Sequence, residues 1–411
     1  MGRIEGLWVR NYGVLKQVGI GSCFLQFAYV NDDSEFLPFP LGPTTIIAGA
    51  NGTGKSTFFD IFTFLADTFR YGVDKAMLKR GGYEAVYTQG GEGPISIGIN
   101  YRQDDEELPV TYALSIERDI NGKAFIETEM LAYREGTTPF PVLYLQNGAQ
   151  SIRYITPDER IDGADLNRIE FTDYRHLGLS QLAEHPAYPA FKSVRQLIED
   201  VYLSNFSTDI GRGLSLAATA KFVNPRGSSL AALVQFMAER YADTFSQMLD
   251  RLVPLFPQIT GITIQNGLDG KPLLFFQQGG VWLPATRMSD GFLRLFTYLL
   301  ILEDPLPAPL LCIEEPENGL DRVACWRLVD ELIKYANPST RPGMTSQLFI
   351  STHHPGIVDA VKPESVWVFE PNRSGFTTAN RACDDLVIQN VWEQQRELPN
   401  DWFSQFFESK L

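Results

Sequence analysis

Eight consecutive residues, Gly49-Ala50-Asn51-Gly52-Thr53-Gly54-Lys55-Ser56, carry the most specific spacing in the chain, G-x4-G-K-S. Glycines in such a loop let successive backbone N–H groups turn inward towards phosphate oxygens. The helix that follows presents its partial positive end to the same anion. In this pattern Asn51, Gly52, Thr53, Gly54 and Thr57 line the loop, and Lys55 reaches the β- and γ-phosphates of a nucleotide. The Ser56 hydroxyl ligates Mg2+. A glycine-rich loop can match the spacing by chance. Here it lies between an apolar strand, Thr44–Ala48, and a helix with apolar residues at Phe58, Phe59, Ile61, Phe62 and Leu65, which argues against chance.

Three further motifs follow. Leu310-Leu311-Cys312-Ile313 is a fully apolar strand that ends in Glu314-Glu315. A buried strand of this kind delivers its carboxylates to the edge of an α/β sheet where ligands sit. Alone, the pair reads equally well as solvated acids past a strand end. Beside a phosphate loop, Glu314 reads as a holder of Mg2+ and Glu315 as the group that orients or deprotonates an attacking water. Ser351-Thr352-His353-His354-Pro355 follows the strand at 347–350 and holds two of the four histidines. His353 is placed to touch a γ-phosphate, and the plainer role is a capping Thr with a surface His. Arg287-Met288-Ser289-Asp290-Gly291-Phe292-Leu293-Arg294 stands just ahead of an apolar helix. Ser289 and Asp290 suit its cap, and the same helix end suits an anion.

In this order the motifs resemble those of ABC-type ATPase heads, most of all the RecF/SMC-like predicted ATPases of bacteria, over about residues 1–370. The resemblance implies an α/β P-loop head with a mixed central sheet, an antiparallel β subdomain, a helical insertion and no long coiled coil. It makes 288–292 the signature, with Asp290 and Phe292 departing from the transporter form. Glu314 stands where Asp is commoner, 317–321 is the D-loop, and His353 is the switch histidine. Gln89 is the best candidate for the metal-contacting glutamine. The implied cofactors are ATP and Mg2+. The implied assembly is a homodimer that sandwiches two ATP molecules, each on Lys55 of one copy and against Ser289, Asp290, Gly291 and Asp321 of the other. Hydrolysis would use Glu315 and His353.

The elements that must position these groups divide the 411 residues into four parts. Residues 1–134 read as an N-terminal ATPase lobe, with two strands around Asn11-Tyr12-Gly13, the phosphate loop, and alternating apolar residues at 95–134 that predict an antiparallel sheet. Within it the acidic run 104–107 reads as a solvated hairpin tip. Residues 135–256 read as a mainly helical insertion, with prolines 139, 141 and 157 marking loops and helices at 187–206 and 228–253. His176 and His185 in this part read as ordinary residues. Residues 257–385 alternate strand and helix, the pattern of a parallel sheet with packed helices. Residues 386–411 read as a helical tail whose Trp402, Phe403, Phe406 and Phe407 share a face, docked on the head or offered to a partner.

Composition narrows the role. Lys plus Arg is 35 and Asp plus Glu is 50, a balance of −15. That disfavours electrostatic coating of DNA and favours protein partners. The four cysteines form no C-x-x-C pair, and no stretch reaches the ~18 apolar residues of a membrane span. The expectation is a cytoplasmic protein without a membrane partner. A transporter needs membrane coupling, an SMC tether needs a coiled coil, and the 56 residues after Pro355 are too few for a Toprim nuclease domain. Two roles stay open. One is a slow, regulated ATPase acting as switch or scaffold for an effector, such as a nuclease or toxin, in anti-phage defence. The other is a RecF-like DNA-maintenance ATPase that binds DNA across the dimer.

Overall fold

The computed structural model describes residues 2–24, 36–103, 109–135, 138–146, 151–154, 167–170, 175–182, 189–204, 230–252, 256–267, 272–304, 307–320, 322–337, 346–389 and 402–403. In chain order the first elements are β1 (Arg3–Tyr12), β2 (Leu15–Gly21), β3 (Cys23–Phe24), β4 (Phe36–Leu37), β5 (Thr44–Ala48), α1 (Lys55–Tyr71), α2 (Val73–Leu78) and α3 (Tyr83–Val86). Then come β6 (Ile95–Arg102), β7 (Val110–Arg118), β8 (Ala124–Glu135), β9 (Thr138–Gln146), β10 (Ser151–Tyr154) and β11 (Asn167–Glu170). The middle of the chain forms α4 (Gly178–Leu182), α5 (Pro189–Glu199), β12 (Tyr202–Ser204), α6 (Leu230–Arg240) and α7 (Ala242–Leu252). A small sheet of β13 (Ile259–Asn266), β14 (Pro272–Gln278) and β15 (Val281–Pro284) leads into α8 (Asp290–Leu302). The chain continues through β16 (Leu310–Glu314), α9 (Arg322–Ala336), β17 (Gln347–Thr352), α10 (Pro355–Val358), β18 (Val366–Pro371) and β19 (Thr377–Arg381).

The central sheet has the order β12-β16-β17-β5-β18-β19. Its pairs are parallel except β18 with β19, so the sheet is mixed. Alternation along each strand sends neighbouring residues to opposite faces. Ile47, Cys312, Phe349 and Trp367 enter one core with α1 and the antiparallel sheet, while Ile46, Ile313, Ile350 and Val368 enter another with α6, α8 and α9. The result is a sheet buried on both faces, as parallel sheets require.

The antiparallel sheet runs β11-β10-β9-β8-β7-β6-β1-β2. One buried amide joins it to the central sheet. Gln347, at the start of β17, accepts from Ile4 N at 2.8 Å and donates to Ile4 O at 2.8 Å and to Gly42 O at 3.0 Å. Those bonds offset the cost of burying the amide.

The segment 135–256, expected to be mainly helical, holds helices α4, α5, α6 and α7 and also strands β9–β12. Pro139 and Pro141, which read as loop markers, lie within β9 opposite Arg134 and Ala132 of β8. β10 meets β9 at Leu143 and Tyr144, so among the described residues β9 is paired at the two prolines with β8 alone. A missing N–H is tolerated at such an edge. β12 is a core strand, pairing in parallel with β16. The helix expected at 228–253 is broken at Tyr241 into α6 and α7.

Trp402 and Phe403 of the tail dock against the turn that follows α10. Trp402 Nε1 donates to Val361 O at 3.1 Å, and Phe403 N donates to Asp359 Oδ1 at 2.6 Å. Both rings are buried. Residues 104–107, His185, Asp321, Phe406 and Phe407 lie outside the described residues. Among the described residues no helix is long and apolar enough to cross a membrane.

Candidate nucleotide site

Three neighbouring parallel strands, β16, β17 and β5, end side by side. Their register pairs Glu314 with Ser351 and Thr352 with Ala48. The chain therefore delivers the phosphate loop, the two glutamates and His353 to one edge of the sheet. This is the carboxyl edge, where α/β sheets hold ligands.

The loop geometry explains two of its glycines. A β-carbon on Gly49 would strike the carbonyl oxygen of Phe369. Gly54, the residue before α1, has φ +95°, a left-handed conformation that L side chains resist. Thr377 of β19 fixes the loop from outside, its hydroxyl donating to Thr53 O at 2.8 Å. Thr53 Oγ1 donates to Ala50 O at 2.9 Å. Asn51 and Gly52 are exposed on the loop crest, while Thr57 lies on the first turn of α1.

Lys55 is buried, and its Nζ donates to Gly49 O at 2.7 Å and to Ala50 O at 2.8 Å. The ammonium thus sits inside the curve of the loop. Burial lowers its pKa, and the charges of Glu315, Glu317 and Glu314 oppose that shift. An anion placed in the loop would meet Lys55 already oriented and partly desolvated, which strengthens the attraction.

Ser56 and Glu314 meet directly: Ser56 Oγ donates to Glu314 Oε2 at 2.7 Å. Burial raises the Glu314 pKa, and the charges of Glu315 and Asp60 push the same way, against the Ser56 hydrogen bond and Lys55. A hydroxyl and a carboxylate together are hard oxygen donors of the kind Mg2+ takes, so the pair fits that ion. Asp60 stands one turn beyond Ser56 on α1 and is clamped by Arg80 through two bonds of 2.7 Å. Tyr12 Oη donates to the same carboxylate at 2.6 Å. Gln89 lies on an exposed turn fixed to the β1–β2 turn, where Thr88 N donates to Asn11 O at 3.2 Å and Thr88 Oγ1 to Gly13 O at 2.8 Å.

Glu315 has φ +42°, one of two non-glycine residues with positive φ among those described. Strain of this kind concentrates at functional sites. Its backbone is held from both sides: Glu315 N donates to Ser351 O at 2.9 Å, and Arg294 Nη1 donates to Glu315 O at 3.2 Å. The side chain accepts from Asn318 Nδ2 at 2.7 Å. Its Oε1 lies 3.9 Å from Lys55 Nζ and 3.4 Å from His353 Nδ1.

Thr352 does not cap the following helix. It is fully buried, and its hydroxyl donates to Glu317 Oε1 at 2.6 Å. His354 takes the capping place, its Nδ1 accepting from Gly356 N at 3.1 Å. His353, Asn51 and Phe403 line a cavity of about 280 Å³ together with Gly49, Ala50 and Thr352.

Ser289 and Asp290 are exposed at the start of α8. Ser289 is the cap, accepting from Phe292 N at 3.3 Å, and Asp290 is the first helical residue. Two contributors were not legible in sequence. Arg294 closes the run that begins at Arg287, but no role for it follows from that place, and its bond to Glu315 O depends on a residue twenty-one positions away. Glu317 lies in the expected D-loop, but its bond to Thr352 depends on a strand thirty-five residues away.

Residues 235–359 match the family model described as "AAA domain, putative AbiEii toxin, Type IV TA system". The match takes in α8, the two glutamates and His353, and begins well after the phosphate loop. Among solved structures, the SMC head domain from Thermotoga maritima is similar over 92% of this chain and 98% of that chain, at 13% identity and a TM-score of 0.42. No curated protein matches the chain.

Proposed function

We propose that this chain, a P-loop ATPase head of the ABC/SMC kind, binds ATP with Mg2+ and hydrolyses it slowly in a site completed by a second copy. The observation that carries the reading is the meeting of Lys55, the Ser56–Glu314 pair, Glu315 and His353 at three adjacent strand ends. Backbone N–H groups of the loop and Lys55 would hold the phosphates. Ser56 and Glu314 would hold the metal, with Gln89 reaching in from its turn. Held there, Mg2+ would supply positive charge against the phosphates. Glu315 would orient the attacking water and take its proton, and His353 would contact the γ-phosphate. The start of α8, with Ser289 and Asp290 exposed and Gly291 buried behind them, would close together with Asp321 on the nucleotide of the partner copy.

In this reading nucleotide state sets the dimer geometry, and the dimer acts in the cytoplasm as a switch or scaffold for an effector protein in anti-phage defence. The family description over 235–359 names a toxin–antitoxin setting, which supports an effector partner. The net charge of −15 favours a protein partner over DNA.

The test is ATP turnover by the purified chain with Mg2+, compared with Lys55→Ala and Glu315→Gln. Both variants should lose at least about 100-fold in turnover. Only Lys55→Ala should also lose nucleotide binding. Full turnover in Glu315→Gln would refute the assignment.

A further inference from the structure

Glu317 is a buried acid that the hydrolytic scheme leaves without a task. Its side chain is 6% exposed. A carboxylate so placed is costly unless its bonds repay the desolvation. Its bonds all run to one strand end. Oε1 accepts from Thr352 Oγ1 at 2.6 Å and from His353 N at 3.2 Å, and it lies 3.4 Å from His353 Nδ1. The other oxygen, Oε2, is buried with no hydrogen-bond partner among the described residues.

Two carboxylates therefore flank one ring nitrogen, since Glu315 Oε1 also lies 3.4 Å from His353 Nδ1. They are not equivalent. The Glu315 side chain is 27% exposed and stands 3.9 Å from Lys55 Nζ, whereas Glu317 faces the interior. A base that must turn to a water cannot also hold the imidazole. Glu317 can hold it throughout.

We propose that Glu317 is a positioning residue for His353. It fixes the backbone through the His353 N–H, the preceding residue through the Thr352 hydroxyl, and the ring through Nδ1. A ring held at Nδ1 keeps Nε2 on its far edge, and orientation by a carboxylate at one nitrogen sets what the other can do. Glu315 is thereby released for the water. This rests on the reading of the site as an ATP hydrolase.

The experiment measures kcat and KM for ATP in the full chain and in Glu317→Gln, Glu317→Asp, His353→Ala and Glu317→Gln/His353→Ala. Binding of a fluorescent ATP analogue is titrated in parallel. Glu317→Gln keeps the size and an acceptor oxygen, so it spares the fold. It should lower kcat about 10-fold or more with analogue affinity within about 2-fold of the parent. Glu317→Asp retains the charge but withdraws it by one methylene, and should fall between. In the His353→Ala background, Glu317→Gln should cost nothing further, as expected for residues that act as a unit. An unchanged kcat in Glu317→Gln, or losses that multiply in the double variant, would overturn the positioning role alone. A parent chain that binds the analogue but turns over no ATP would overturn the hydrolase reading and this proposal with it.

Discussion

Gly291 packs directly against Gly319: a β-carbon on Gly291 would run into the Gly319 carbonyl oxygen. The contact joins the start of α8 to the turn that follows Glu315. Arg294, one turn further along α8, reinforces it by donating to Glu315 O at 3.2 Å. The surface proposed to meet a second copy and Glu315 are thus parts of one packed unit. Gly291→Ala should push α8 away from that turn, costing about 1–3 kcal/mol and lowering ATP turnover more than nucleotide affinity. Thermal melting and a binding titration on the same preparation check both halves.

Ser289 tests the same surface without disturbing the packing, because its side chain is exposed. Ser289→Arg should stop hydrolysis by obstructing the partner copy's nucleotide, while Lys55 still binds ATP. An equilibrium titration beside a turnover assay separates the two effects. The variant also loses the cap bond to Phe292 N, worth about 1 kcal/mol, so its melting temperature should fall slightly.

Glu129 gives the fold a pH dependence. It is fully buried between β8 and α4, accepting from Gly178 N at 2.6 Å, Leu179 N at 3.2 Å and Tyr112 Oη at 3.0 Å. Burial pushes its pKa up to about 7 from an ordinary 4.5, against the pull of those bonds. The folded chain then holds a proton that the unfolded chain releases, so the contribution of Glu129 to stability is greatest below about pH 4.5 and declines as pH rises to about 7. The shift corresponds to roughly 3 kcal/mol. Glu129→Gln should flatten the decline. Urea midpoints at pH 5 and pH 8 for both chains measure it, since any fixed cost of the substitution cancels in the difference between pH values.

The phosphate loop, the paired glutamates and the T-H-H-P turn were legible because each is a contiguous run tied to a strand end. The central strands were legible for a related reason: Leu310 to Ile313 and Leu348 to Ile350 are unbroken apolar runs, as burial on both faces demands. What escaped depends on contacts distant in sequence. β9 reads as a loop because Pro139 and Pro141 stand in it, yet among the described residues β10 meets β9 beyond them, at Leu143 and Tyr144. Thr352 reads as a cap because Thr before a Pro-initiated helix commonly is one, yet Glu317 draws it inward. Glu315 shows nothing in sequence of its φ of +42°, which the surrounding bonds impose.

The most direct test is the solution mass of Glu315→Gln, measured by light scattering after size exclusion with and without ATP and Mg2+. A variant that binds ATP but cannot orient the water should accumulate as a closed dimer, so a monomer without nucleotide should become a dimer with it. A mass unchanged by ATP, in a chain shown by titration to bind it, would contradict a site shared between two copies.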